Sequence, residues 1–210
     1  MPDGGAADPD PTEVDFAAAQ RLTFFSDAVV AIAITLLALD LPAPGGRTAS
    51  AVLSSLGDHQ YEYTAFLIGF LVVAAHWRAH HTVFRWLVGV RPRLVTLSLT
   101  WLLLIVVTPF LTDVLTEGDL DVVRFGLFAV AQALLQLVFG AMVSLAARQG
   151  LFAPTTPTSL VRRPWQDAAG GAFGFLVSVP LFPLLDRWAF VLWAVVPVVY
   201  GRLISRRSAT

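Results

Sequence analysis

Apolar positions along the chain run in long blocks rather than in the strict alternation of a half-buried strand. The blocks fall at about Phe16 to Leu41, Tyr61 to Val88, Leu94 to Leu115, Val122 to Ala147, Ala168 to Leu185 and Trp188 to Ile204. Each comes close to the roughly 20 mostly apolar residues that cross a hydrocarbon core of about 30 Å. The expected fold class is all-α, a polytopic membrane protein with six transmembrane helices. Pro42, Pro44, Gly45 and Gly46 close the first block, Arg91 and Pro92 divide the second from the third, and Asp186 with Arg187 leaves a tight turn between the last two. The predicted organisation is an acidic, disordered tail over 1–15, a transmembrane domain over 16–205 and a short basic tail over 206–210.

Composition removes the soluble alternatives. Of 210 residues, 56% are hydrophobic and 14% charged, and the mean hydropathy is +0.70. No sizeable soluble domain fits between the spans, and no nucleic-acid partner is expected. Cysteine is absent, which excludes disulfides, thiolate metal sites and a cysteine nucleophile. The first 15 residues hold Asp3, Asp8, Asp10, Glu13 and Asp15 without a basic residue. A secretory signal begins with a positive region, so the first apolar segment is expected to be retained.

Charge also sets the orientation. An even number of spans puts both termini on one side. Arg21, Arg91, Arg93, Arg148, Arg162, Arg163, Arg202, Arg206 and Arg207 then share the side of the termini, whereas the opposite loops carry Arg47, Arg187 and the acids Asp58, Asp113, Glu117, Asp119 and Asp121. Positive charge accumulates in cytoplasmic loops, so both termini are expected in the cytoplasm, and Trp86, Trp165 and Trp188 fall where interfacial aromatics sit. Pro180, Pro183 and Pro197 suggest kinks, and Gly170 with Gly174 forms a small-xxx-small pair.

The first helix separates into two faces. At about 100° per residue, with Ile32 as zero, Leu36, Leu39 and Thr35 fall within one stripe, and Ser26 and Asp27 lie far from it. A carboxylate this deep in a span needs a partner. His80 and His81 on the second helix lie at a similar depth, so Ser26 and Asp27 are expected against His80 or His81. His76, His80 and His81 also have the spacing of metal ligands on one helix face. The fourth histidine, His59, is in an outer loop and that helix lacks an obvious carboxylate base, so a hydrogen-bonded structural cluster is expected and no metal or other cofactor.

The run Arg21-x-x-x-Phe25-Ser26-Asp27, followed by Ala-Ile-x-x-Thr-Leu-x-x-Leu, resembles the signature of the transmembrane protein 175 family, the lysosomal potassium channels and their prokaryotic relatives. Trp77-x-x-His80-His81 on the second helix and Pro109-Phe110 on the third are similar to that family as well. The resemblance covers about Arg21 to Leu115; the later helices match in hydropathy and length only. It implies a homotetramer in a bacterial plasma membrane, with potassium as the permeant ion and a pore lined by first helices. By position it makes Ile32, Leu36 and Leu39 the hydrophobic constriction and Thr35 the selectivity residue, with Arg21, Phe25, Ser26, Asp27, Trp77, His80 and His81 as the packing motif. Ser98 and Thr100 stand where family members often have asparagine.

Two other classes compete. A secondary transporter or proton-coupled carrier would use Asp27 and the second-helix histidines as a relay, but no convincing internal repeat or pair of broken helices is visible. An enzyme is not expected, because Ser26 and Asp27 alone do not make a nucleophile and base.

Overall fold

The computed structural model describes residues 10–185 apart from 40 and 118–120, together with 188, 189 and 191–193. Its elements are helices: α1 (Pro11–Leu36), α2 (Ala49–Asp58), α3 (Gln60–Phe84), α4 (Pro92–Thr116), α5 (Val122–Arg148), α6 (Thr158–Val161) and α7 (Pro164–Leu185). α1, α4, α5 and α7 are long and apolar enough to cross a membrane. α3 matches them in length at 25 residues but carries Glu62, Arg78 and three histidines. The sixth expected span, Trp188 to Ile204, falls largely outside the described residues.

Helix ends follow local chemistry. α1 starts at Pro11, five residues before the expected boundary, because the Asp10 carboxylate accepts the Thr12 N–H at 3.0 Å and Pro11 supplies a helix-ready φ without needing a donor. α3 stops at Phe84, short of Val88, because the next residues leave the helix to pair with the α5–α6 connection: Val88 N donates to Leu151 O and Ala153 N to Trp86 O, both at 2.9 Å. α2 was not anticipated. It is a ten-residue helix in the first loop, N-capped by Thr48, and a search for membrane-length blocks passes over it.

Long helices run antiparallel to their chain neighbours and pack α1 on α3 and α4, α4 on α5, and α5 on α7. One end of the bundle gathers Arg21, Arg91, Arg93, Arg148, Arg162 and Arg163; the other gathers Asp58, Glu62, Asp113, Glu117 and Asp121. At the arginine end Arg91 holds Asp15 at 3.0 Å. Two cores fill the bundle. The larger holds Val30, Leu94, Trp101, Ile105, Leu135 and Met142. The second is aromatic, with Trp193 stacked on Phe125 and Phe128 at 5.0 and 5.1 Å.

α5 and α7 meet through glycine. A Cβ at Gly140 would lie 2.6 Å from the Ala168 Cβ, so this approach requires glycine, whereas one at Gly171 would lie 2.7 Å from Gln136 Cδ and displace that side chain. Gly170 and Gly174 are buried on the same helix.

Candidate pore helix and its anchor

α1 packs on the rest of the chain through Ala19, Leu22, Ser26, Val30, Ala33 and Leu37, all buried, at spacings of three and four that define one face. Its opposite face is uncovered. Ile32 is 60% exposed, Leu36 38% and Leu39 74%, and Thr35 is exposed beside them. Thr35 Oγ1 donates its proton to Ile32 O at 2.8 Å. With its single donor spent on the backbone, the hydroxyl presents only acceptor lone pairs outward, the polarity a cation needs. α1 ends at Leu36, and Ala38 N and Leu39 N bond back to Thr35 O and Leu36 O at 3.1 Å. Leu39 therefore stands on a tightened turn rather than on the α-helix that the angular count assumed.

Asp27 faces α3. Trp77 Nε1 donates to Asp27 Oδ1 at 3.0 Å, and His81 Nδ1 lies 4.0 Å from Oδ2 while its ring stacks on Trp77 at 5.2 Å. Tryptophan supplies the close contact, a partner the sequence argument did not assign to the carboxylate. Ser26 does not reach across: its hydroxyl donates to Leu22 O on the same helix at 2.8 Å. His80 is buried between the rings of Phe84 at 4.0 Å and Trp101 at 4.8 Å, with no hydrogen bond to either ring nitrogen.

The three histidines of α3 therefore diverge. His76 Nε2 meets Gln132 Oε1 at 3.2 Å, and Gln132 Nε2 donates to Thr108 Oγ1 at 3.3 Å, a buried polar chain joining α3, α5 and α4. Gln132 and Thr108 carry no spacing signal that would have found this chain. No group of three metal-ligating side chains occurs among the described residues.

A sequence profile described as endosomal/lysosomal potassium channel TMEM175 matches residues 21–109. A potassium channel of Streptomyces collinus is 31% identical over 166 residues, covering 77% of this chain and 81% of that protein. The chain belongs to the TMEM175 family. Membership rests on both halves of the molecule, since the Streptomyces alignment extends well past the motif helices. A potassium channel of Chamaesiphon minutus is 34% identical over 99 residues, 46% of this chain and 49% of its own length. The crystal structure of a lysosomal potassium-selective channel TMEM175 homolog from Chamaesiphon minutus shares the fold, with a TM-score of 0.69 at 22% identity, over 88% of this chain and 97% of that one. The resemblance carried by the Arg21 to Asp27 motif is borne out, and the family is one of membrane channels rather than enzymes.

Within that TMEM175 motif, Arg21 and Phe25 separate from Ser26 and Asp27. Both are exposed, and at 100° per residue they fall within about 20° of Ile32, on the uncovered face. Periodicity alone would have placed them there. Ser98 is buried with its hydroxyl unpaired, and Thr100 is exposed and bonds to Thr96 O at 2.9 Å.

Proposed function

We propose that this protein is a subunit of a potassium-permeable cation channel, a homotetramer whose four α1 helices surround the pore in a bacterial plasma membrane. The observation that carries the proposal is the exposed stripe of Ile32, Thr35, Leu36 and Leu39 on a helix otherwise held by its own chain. Potassium channels among the relatives support the choice of ion. A ring of Ile32 side chains forms a dewetting constriction, with Leu36 and Leu39 as further apolar layers, and a ring of Thr35 oxygens replaces part of the hydration shell of the ion. Hydroxyls supply fewer ligands than stacked carbonyl rings, so preference for potassium over sodium is modest.

Six spans with cytoplasmic termini complete the proposal, counting α3 and the segment after Trp188. The concentration of arginine at one end of the bundle supports this orientation. Asp27, with Trp77 and His81, anchors α1 to α3 and stays off the ion path. The carrier alternative gains nothing from the geometry, because His76 with Gln132 and His81 with Asp27 sit on different flanks of α3.

Purified protein in potassium-loaded liposomes tests the channel. Ile32→Asn is expected to raise flux by wetting the constriction, and Thr35→Ala to shift the bi-ionic reversal potential toward sodium. Unchanged currents and reversal potential in both variants remove α1 from the pore.

A further inference from the structure

A cavity of about 510 Å³ opens at the arginine end between α3, α5, α6 and α7. It lies on the flank of α3 away from Trp77 and His81. Arg78, Thr82, Gln136, Ser159 and Asp167 contribute its polar groups, and Phe139 belongs to its apolar wall. Arg78 is exposed and takes part in no ion pair or side-chain hydrogen bond among the described residues. Asp167 is exposed as well, with Arg163 acting on its charge from one turn back.

Depth makes this pair unusual. Asp167 stands three residues inside α7 and Arg78 six residues from the end of α3, roughly 5 and 9 Å along helices that rise about 1.5 Å per residue. Trp165, 46% exposed beside the cleft, fits the headgroup level, where interfacial aromatics collect. A guanidinium at the edge of the hydrocarbon is costly without an anion, and Asp167, which has Arg163 one turn back, keeps an exposed carboxylate across the same cleft. Thr82 Oγ1 spends its proton on Arg78 O at 2.7 Å, which leaves an acceptor oxygen turned to the cleft.

We infer that this cleft binds the headgroup of a zwitterionic phospholipid bearing a primary ammonium, the phosphatidylethanolamine class, with phosphate on Arg78, ammonium on Asp167 and an acyl chain along the wall at Phe139. The volume falls within the roughly 300–1,000 Å³ of small-molecule sites. Charge complementarity selects the class. An anionic glycerol headgroup offers Asp167 hydroxyl donors but no positive charge, and a choline headgroup has no N–H to give a carboxylate. The bound lipid ties α3, which carries the partners of Asp27, to α5 and α7.

The test needs only the purified, delipidated full-length protein, so its outcome is independent of conduction. Dioleoyl phosphatidylethanolamine, phosphatidylcholine and phosphatidylglycerol are titrated separately in mixed micelles, and bound lipid is counted by native mass spectrometry. Phosphatidylethanolamine is expected to bind about tenfold more tightly than either of the others, the ratio of one charge-assisted hydrogen bond. Arg78→Ala should weaken all three lipids, Asp167→Asn should bring phosphatidylethanolamine down to the phosphatidylcholine level, and Asp167→Arg should turn the preference toward phosphatidylglycerol. Equal binding of the three lipids by the unmodified protein overturns the assignment. So does a phosphatidylethanolamine preference that survives both Asp167 substitutions, or a phosphatidylglycerol preference in the unmodified protein. Lipid-free melting temperatures identify any variant that fails to fold, and the three-lipid comparison on the unmodified protein decides the matter without them.

Discussion

Replacing Trp77 by phenylalanine removes one hydrogen bond and little else. The ring can still stack on His81, but the N–H that Asp27 Oδ1 accepts at 3.0 Å is gone. A hydrogen bond to a charged acceptor contributes about 1.5–3 kcal/mol. Asp27 keeps 31% of its side-chain surface and Trp77 is 38% exposed, so water replaces part of the lost contact. The lower end, about 1.5 kcal/mol, is therefore expected. His81 adds little to this, since a partly exposed pair at 4.0 Å is worth about 0–1 kcal/mol.

For a chain of this length about 1.5 kcal/mol corresponds to a fall in melting temperature of roughly 3–6 °C. The assay heats the purified protein in detergent and reads the folded fraction by size exclusion. Asp27→Ala, which removes the acceptor, and the double substitution complete a cycle: because the two groups touch, their effects should fall short of additivity by about 1.5 kcal/mol. Trp77→Phe melting with the unmodified protein, or strictly additive shifts, would falsify the anchoring role of this bond.

Three further outcomes are expected. Gln132→Leu leaves buried His76 without its acceptor and should cost about 1–3 kcal/mol, seen in the same melting assay. Gly140→Ala places a methyl 2.6 Å from the Ala168 Cβ and should cost about 1–3 kcal/mol by forcing α5 from α7; adding Ala168→Gly should restore part of the loss, since the Pro164 carbonyl oxygen at 3.2 Å remains. Asp121 caps α5, and the backbone N–H groups of Arg124 and Val123, helped by the Arg124 charge, hold its carboxyl below the usual range. Its contribution is therefore present above the ordinary carboxylate pKa of about 3.9 and fades as pH falls through its lowered value, so the melting difference between Asp121→Ala and the unmodified protein should shrink in acid.

Parts of the candidate site were legible because helix geometry is local. The division of α1 into a Ser26 and Asp27 face and an Ile32, Thr35 and Leu36 face follows from a fixed turn angle, and the exposed stripe matches it. The same count applied to Arg21 and Phe25 puts them beside Ile32, although the shared motif suggested grouping them with Asp27. Leu39 escaped because helix termination depends on the Pro42 to Gly46 segment and its packing. Tyr63, twenty-one residues on, donates to Pro42 O at 2.7 Å, a contact no local rule contains.

What the sequence determined alone was the membrane class, the helical blocks, the segregation of charge and the family, because lipid forces every backbone group into helices and leaves long apolar runs as their record. Tertiary structure decided which polar groups meet. Nothing in the spacing of α3 says that His76 finds Gln132, that His80 is enclosed by Trp101 and Phe84, or that Trp77 rather than histidine makes the close bond to Asp27. Those pairings depend on rotation and offset between helices, set by side-chain packing and by close approaches such as Gly140 on Ala168. The first helix therefore carries its outward stripe in its own sequence, while its anchor exists only once α3 is packed beside it.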